Sequence, residues 1–181
     1  MRCLPVIVVV LMLGVGCTQA PMRELPMSPD EMPATFSYGG LTPKDAHYRQ
    51  GTDPRSGVEA RQVIMGNHGE LARIVVISIG SDRIFAPVAF RQRLDGLLGD
   101  QQVEWHETSQ TSGIAPTKLV TFSLPGKGAE CVGFERSLRA HPEAATPAYS
   151  QALAFGFYCR ASGAFSTQEA QKVAAALRTN S

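Results

Sequence analysis

The sequence has no excess of either charge. It carries 17 Lys and Arg against 16 Asp and Glu, for a formal net charge of +1. Losing Arg2 with an N-terminal leader would make the two counts equal. Broad nucleic-acid binding needs a basic excess or stripe, and electrostatic attachment to anionic lipid needs a polybasic segment. Neither is present, so no nucleic-acid partner is expected. Histidine is scarce, with four in the chain, and none is paired at metal-ligand spacing. His106-Glu107 opens like a zincin motif, but Gln110 stands where its second histidine is required. Gly126-Lys127-Gly128 lacks the remaining glycine, the Ser/Thr and the following helix of a phosphate-binding loop. Gly80-Ser81 is not part of a Gly-x-Ser-x-Gly elbow. No cofactor and no metal site is expected. No apolar run reaches the roughly 20 residues of a membrane-spanning helix, and there is no usable internal repeat.

The longest apolar run is residues 4–16, with Arg2 before it. Its length of about 13 residues suits the core of a signal peptide better than a span. The alternative is a short uncleaved anchor. Leu13-Gly14-Val15-Gly16-Cys17 resembles a bacterial lipoprotein signal. Gly16 supplies the small residue before the cysteine, and Val15 fits the position before that. Gly14 stands where the pattern usually has leucine, with Leu13 one place earlier. The resemblance covers these five residues. It implies that Cys17 receives diacylglycerol and becomes the new N-terminus, anchoring the protein to a membrane through lipid. Thr18 is not the aspartate that retains such proteins at the inner membrane, which implies the outer membrane. The rival is ordinary cleavage after Ala20, disfavoured because Pro21 would follow the cut.

Residues 18–35 carry Pro21, Pro26, Pro29 and Pro33 without an apolar period. They read as a semi-extended tether, so the domain is expected to begin at Phe36. Met22, Met27 and Met32 recur every five residues. Methionine thioethers bind Cu(I), which raises a metal-handling alternative, but the spacing matches neither a helix nor a strand face.

Within the domain, period-two alternation marks the strands. Residues 61–65 and 71–79 flank Gly66-Asn67-His68-Gly69, a hairpin signature. Residues 84–98 read as a helix starting near Ala86, with Phe90, Leu94, Leu97 and Leu98 on its apolar face and Gly99 as its stop. Residues 102–107 read as a strand. Residues 118–124, the turn 125–128 and residues 130–138 read as a second hairpin. Residues 153–160 form another strand. Ser166 to Glu169 is a capping box. It opens a helix whose Ala170, Val173, Ala174 and Leu177 share one face. Tyr38, Tyr48, Trp105 and Tyr158 could line a groove, though packing is the default for each.

Strand-strand-helix followed by four strands and a helix, with mostly short links, predicts an α+β two-layer sandwich. Its sheet is mainly antiparallel, with both helices on one face. An exported chain folds in an oxidising compartment. With Cys3 removed and Cys17 acylated, Cys131 and Cys159 remain, and a disulfide between them is expected. The functional reading is a lipid-anchored protein of the bacterial cell envelope, on the periplasmic side, whose domain binds or scaffolds an envelope protein partner. The alternative from another class is an envelope hydrolase using His106 or His68 with a nearby carboxylate.

Overall fold

The computed structural model describes residues 25–41, 46–53, 57–79, 89–111, 117–140 and 150–179. Cys17 and Met22 lie outside them, as does the stretch before Ala89 in which a helix start was expected. The strands are β1 (Leu25–Pro26), β2 (Ala34–Phe36), β3 (Ala46–Thr52), β4 (Glu59–Asn67), β5 (Glu70–Ser78), β6 (Glu104–Gln110), β7 (Thr117–Leu124), β8 (Ala129–Ala140), β9 (Ser150–Arg160) and β10 (Leu177–Thr179). The helices are α1 (Phe90–Leu98) and α2 (Thr167–Ala175). Eight strands form one antiparallel sheet in the order β1-β3-β4-β5-β9-β8-β7-β6, and β10 pairs with β2 in a small ribbon.

The hairpins arise where turn chemistry allows them. The β4–β5 turn is tighter than the sequence suggested, because Asn67 pairs with Glu70 and leaves only His68-Gly69 between the strands. Gly69 adopts φ 97° there, a conformation that a side chain would disfavour. Pro125–Lys127 makes a 3-10 turn between β7 and β8. Ala89 is extended, the described helix α1 begins at Phe90, and Gly99 ends it with φ 64°.

The expected two-layer sandwich with both helices on one face is not what forms. A single large sheet carries α1 on one face and α2 on the other. The cause lies in the strand alternation. In β7, Leu119 faces the α2 side, while Val120, Phe122 and Leu124 face the α1 side. In β8 and β9, Val132, Phe134, Ala154 and Tyr158 face α2, whereas Cys131, Phe157 and Cys159 face α1. Both faces are apolar, so each needs its own cover. Phe90, Leu94 and Leu98 of α1 supply one, and Ala170, Val173 and Ala174 of α2 supply the other.

Polar anchors fix α1 and β10 to the sheet. Glu135, only 5% exposed, accepts from Arg93 Nε of α1 at 2.8 Å and from Lys118 Nζ at 3.0 Å. Arg136 donates to Thr117 Oγ1 at 2.7 Å and to the Leu177 carbonyl at 3.0 Å, tying β10 to the sheet. Leu177, read as the last residue of a helical face, is buried but belongs to β10.

The expected tether is folded from Leu25 onward. β1 pairs with β3, β2 pairs with β10, and Met27 and Met32 are buried in the α2-side core. Between them Pro29 opens a 3-10 turn, and Ser28 N donates to the Glu31 carboxylate at 2.8 Å. That turn brings two methionines five residues apart into one core. Their thioethers are packing groups, which removes them from the metal-handling alternative.

Cys131 and Cys159 are direct cross-strand partners and form a disulfide, with Cα atoms 4.1 Å apart. Among the described residues no helix is long and apolar enough to cross a membrane.

Candidate functional site

The β4–β5 and β7–β8 turns lie at the same end of the sheet, together with the end of β9. Strand register arranges side chains on both faces of that turn end. On the α2 face, Arg160 stands opposite Glu70 on one side and Glu130 on the other. Ser123 stands opposite Glu130, and Glu104 opposite Ser123. A polar row therefore crosses five strands.

Its members are held by different partners. The Glu70 carboxylate accepts from the buried Tyr158 hydroxyl, from Gly40 N at 2.8 Å and from Asn67 Nδ2 at 3.0 Å. The Tyr158 hydrogen bond contributes most to holding the Glu70 carboxyl below its usual range, against an opposing desolvation cost. Burial and then Glu70 push the Tyr158 phenol well above its usual range. Arg160 lies over the Phe165 ring at 4.0 Å and donates to the carbonyls of Gly163 and Ala164 and to Glu169. Its guanidinium thus braces the start of α2. Glu169 completes the capping box: Ser166 N donates to it at 3.0 Å, and that bond is the first cause of its carboxyl falling to about 2.

At the far end of the row, His106 Nε2 lies 2.6 Å from Ser123 Oγ, which donates to the Glu130 carboxylate at 3.0 Å. A hydroxyl has one proton. Directed at Glu130, it leaves Oγ to accept from the imidazole N–H. The serine thus sits between the histidine and the acid. A nucleophile activated by histidine needs the histidine in the middle, so this order does not support the hydrolase reading. His68 lies in the exposed β4–β5 turn. β4 and β6 are five strand spacings apart, on the order of 20 Å, so His68 and His106 do not converge.

Acid titration checks the carboxylate assignments. Glu70 and Glu169 have folded-state pKa values below the reference of 4.5. Their stabilisation is therefore present above about pH 4.5 and lost as pH falls through the folded values, near 2 for Glu169. The drop in thermal midpoint between pH 5 and pH 3 should be smaller in Glu70→Gln than in the parent protein. An equal drop would show that Glu70 contributes nothing to the acid limb.

The α1 face of the turn end carries a cleft of about 250 Å³. Leu71, Leu124, Phe157 and the disulfide-bonded Cys159 form apolar walls, with Gln101 and Lys127 also lining it. The Gln101 side-chain oxygen is buried without a hydrogen-bond partner, an arrangement that costs free energy unless something supplies a donor. Lys127 has no carboxylate partner among the described residues. Among the described residues, Leu71 is one of two large apolar side chains that are exposed. Two further clefts lie at the sheet edges: one beside Leu25, Gln50 and Arg61, the other beside Phe90, Thr108 and Lys118. None of the three is lined by a histidine.

No family model, curated protein or solved structure matches the chain.

The aromatic residues considered for a groove pack instead. Trp105 lies against Phe122 with Arg91 over its ring, and Tyr38 meets Tyr158 edge-on. Tyr48 packs against the α2-side core. Among the described residues no group of three or more His, Cys, Asp or Glu side chains could hold a metal ion. Sequence reasoning missed the Ser123–Glu130 pair, although the register of a hairpin turning at residues 125–128 implies it. It also missed Gln101, for which no local signal exists.

Proposed function

We propose that this is a lipid-anchored protein of the bacterial cell envelope, acylated at Cys17 and held at the periplasmic face of the outer membrane. Its domain acts as a binding module for an envelope partner rather than as an enzyme. The observation that carries this reading is the buried Cys131–Cys159 disulfide in a chain whose apolar leader ends at a lipobox-like cysteine. Structural disulfides persist in exported proteins and are rare in reducing compartments. The near-equal charge counts fit a covalent anchor rather than electrostatic attachment.

The cleft on the α1 face is the binding site in this reading. Apolar walls with a few unpartnered polar groups are the usual make-up of a recognition site. The tether reaches from Cys17 to Leu25, about eight residues and at most about 29 Å. Leu25 pairs with Gln50 near the end of β3, and the turn end lies beyond the start of β3. The cleft thus lies toward the end of the sheet away from the Leu25–Gln50 pairing.

Cys17→Ser, exported on a leader cleaved by the ordinary signal peptidase in place of residues 1–16, should be absent from the membrane fraction and appear in the soluble periplasm. Its thermal unfolding should match that of the lipidated protein, because Cys17 precedes every paired strand. Membrane retention of the processed variant would refute lipid anchoring.

A further inference from the structure

We infer that the outer edge of β6 takes up an extended, basic segment of a partner polypeptide as an added strand of the sheet. This surface is separate from the turn-end cleft and does not depend on it. β6 is last in the strand order, with β7 on one side and no strand on the other. Beyond β7, the described residues give its backbone one hydrogen bond, from Arg91 Nη2 to the His106 carbonyl at 3.4 Å. Every second residue of an antiparallel edge directs its N–H and C=O outward. That alternating row of donors and acceptors is matched along its length by another extended polypeptide, and a lipid chain offers nothing to it. Natural sheets guard such edges with lysine, proline or very short strands. β6 has seven residues and neither lysine nor proline. Its one bulge, between Trp105 and Thr108, leaves Thr108–Gln110 in regular pairing.

The two faces of this edge select different side chains. On the α1 face, a cleft of about 530 Å³ runs beside Thr108 and Gln110, with Ala89 and Phe90 as its apolar ground. It reaches Lys118, at the opposite end of β7 from the Leu124 of the turn-end cleft. A strand laid along Thr108–Gln110 would place an apolar side chain there. On the α2 face, Glu104 stands opposite Ser123, and Glu107 follows within the bulge. Both glutamates are exposed, and neither pairs with a cation among the described residues. The nearby cations are engaged: Arg91 with Thr108 Oγ1 at 2.8 Å and Lys118 with Glu135 at 3.0 Å. Opposite charges on paired strands attract and like charges repel, so the added strand carries Lys or Arg. A second copy of β6 fails on the same ground, because it has no Lys or Arg and brings the same two carboxylates. Side chains alternate between faces, so the fitting segment alternates basic and apolar residues.

The test uses the full mature chain with its disulfide intact and Cys17→Ser for solubility. Two probes are titrated by two-dimensional amide NMR: acetyl-Lys-Leu-Lys-Val-Lys-Val-Lys-amide and the same peptide with glutamate in place of lysine. The basic peptide should shift the amides of Trp105, Thr108, Ser109 and Gln110 and bind about tenfold more tightly than the acidic one. Glu104→Gln with Glu107→Gln should remove most of that preference, with an unchanged thermal midpoint confirming the fold. N-methylation of alternate peptide nitrogens separates strand pairing from charge attraction. One alternating set should abolish binding and the other should spare it, because only one set faces β6. Equal effects of the two sets, or equal affinity for the basic and acidic peptides, would overturn the inference. So would a dimer in sedimentation that the paired glutamine variant strengthens, which would assign the edge to a second copy. Shifts confined to Leu71, Lys127 and Phe157 would support the turn-end cleft and overturn the edge site, whereas shifts at β6 alone would leave that cleft without support from these probes.

Discussion

Replacing Cys131 and Cys159 together by alanine is expected to lower the unfolding free energy by roughly 3–4 kcal/mol. The two residues are 28 positions apart in sequence, and closing a loop of that size restricts the unfolded chain by about this amount in the chain-entropy model. Both cysteines are buried on the α1 face, against Phe122 and Phe157, so truncation also removes core contacts. At roughly 2–4 °C per kcal/mol for a domain of this size, the thermal midpoint should fall by about 10 °C. Urea unfolding of the double variant beside the oxidised parent checks this. A loss below about 1 kcal/mol would mean that the bridge adds little to a sheet already held by β7–β9 pairing. The expected loss of roughly 3–4 kcal/mol would be a large part of a typical net stability of about 5–15 kcal/mol.

Gly156→Ala should be at least as damaging, through a different cause. Gly156 sits in β9, between β5 and β8, with Ile74 and Phe134 as its partners. A Cβ there would lie 2.1 Å from the Arg73 carbonyl oxygen and 2.9 Å from Ile74 Cα. Both are backbone atoms of a neighbouring central strand, so no rotamer change relieves the clash. The strands must separate, and a cost of about 3 kcal/mol or more is expected. Gly133→Ala provides the internal comparison. Its Cβ would meet Leu94 Cδ1 at 2.4 Å and Val120 Cγ1 at 3.0 Å, side-chain tips that can shift, so its cost should be about 1–2 kcal/mol. Gly126→Ala, with nothing near its Cβ, should be neutral. A ranking in which Gly133→Ala costs more than Gly156→Ala would contradict the β5–β9 packing described here.

The hairpins and the second helix were legible because their signals are local. Val120, Phe122 and Leu124 alternate with polar residues on either side of a Pro-Gly turn, and Ser166 with Glu169 forms the cap that the four-residue spacing implies. The covering of both sheet faces was harder to read. It depends on residues such as Leu119, Val132 and Ala154, whose burial was decided by a helix packed on the opposite side from α1. The folded state of residues 25–36 was also illegible. Prolines spaced through that stretch look like a linker, and only the distant β3 and β10 convert it into paired backbone. Leu177 shows the same limit: its spacing continues the α2 face, but its pairing with Phe36 near the other terminus makes it a strand. At the site, His106 was visible as a residue type. Its neighbours Ser123 and Glu130 come from register, and the cleft under Gln101 comes from packing that no window of sequence contains.

The anchoring at Cys17 is tested most directly by the intact mass of the protein extracted from membranes of a bacterium that exports it. A polypeptide beginning at Cys17, heavier than its sequence by a diacylglycerol group and an amide-linked acyl chain, is the result this account predicts. An unmodified chain beginning at Pro21, or one that retains Met1, would contradict it.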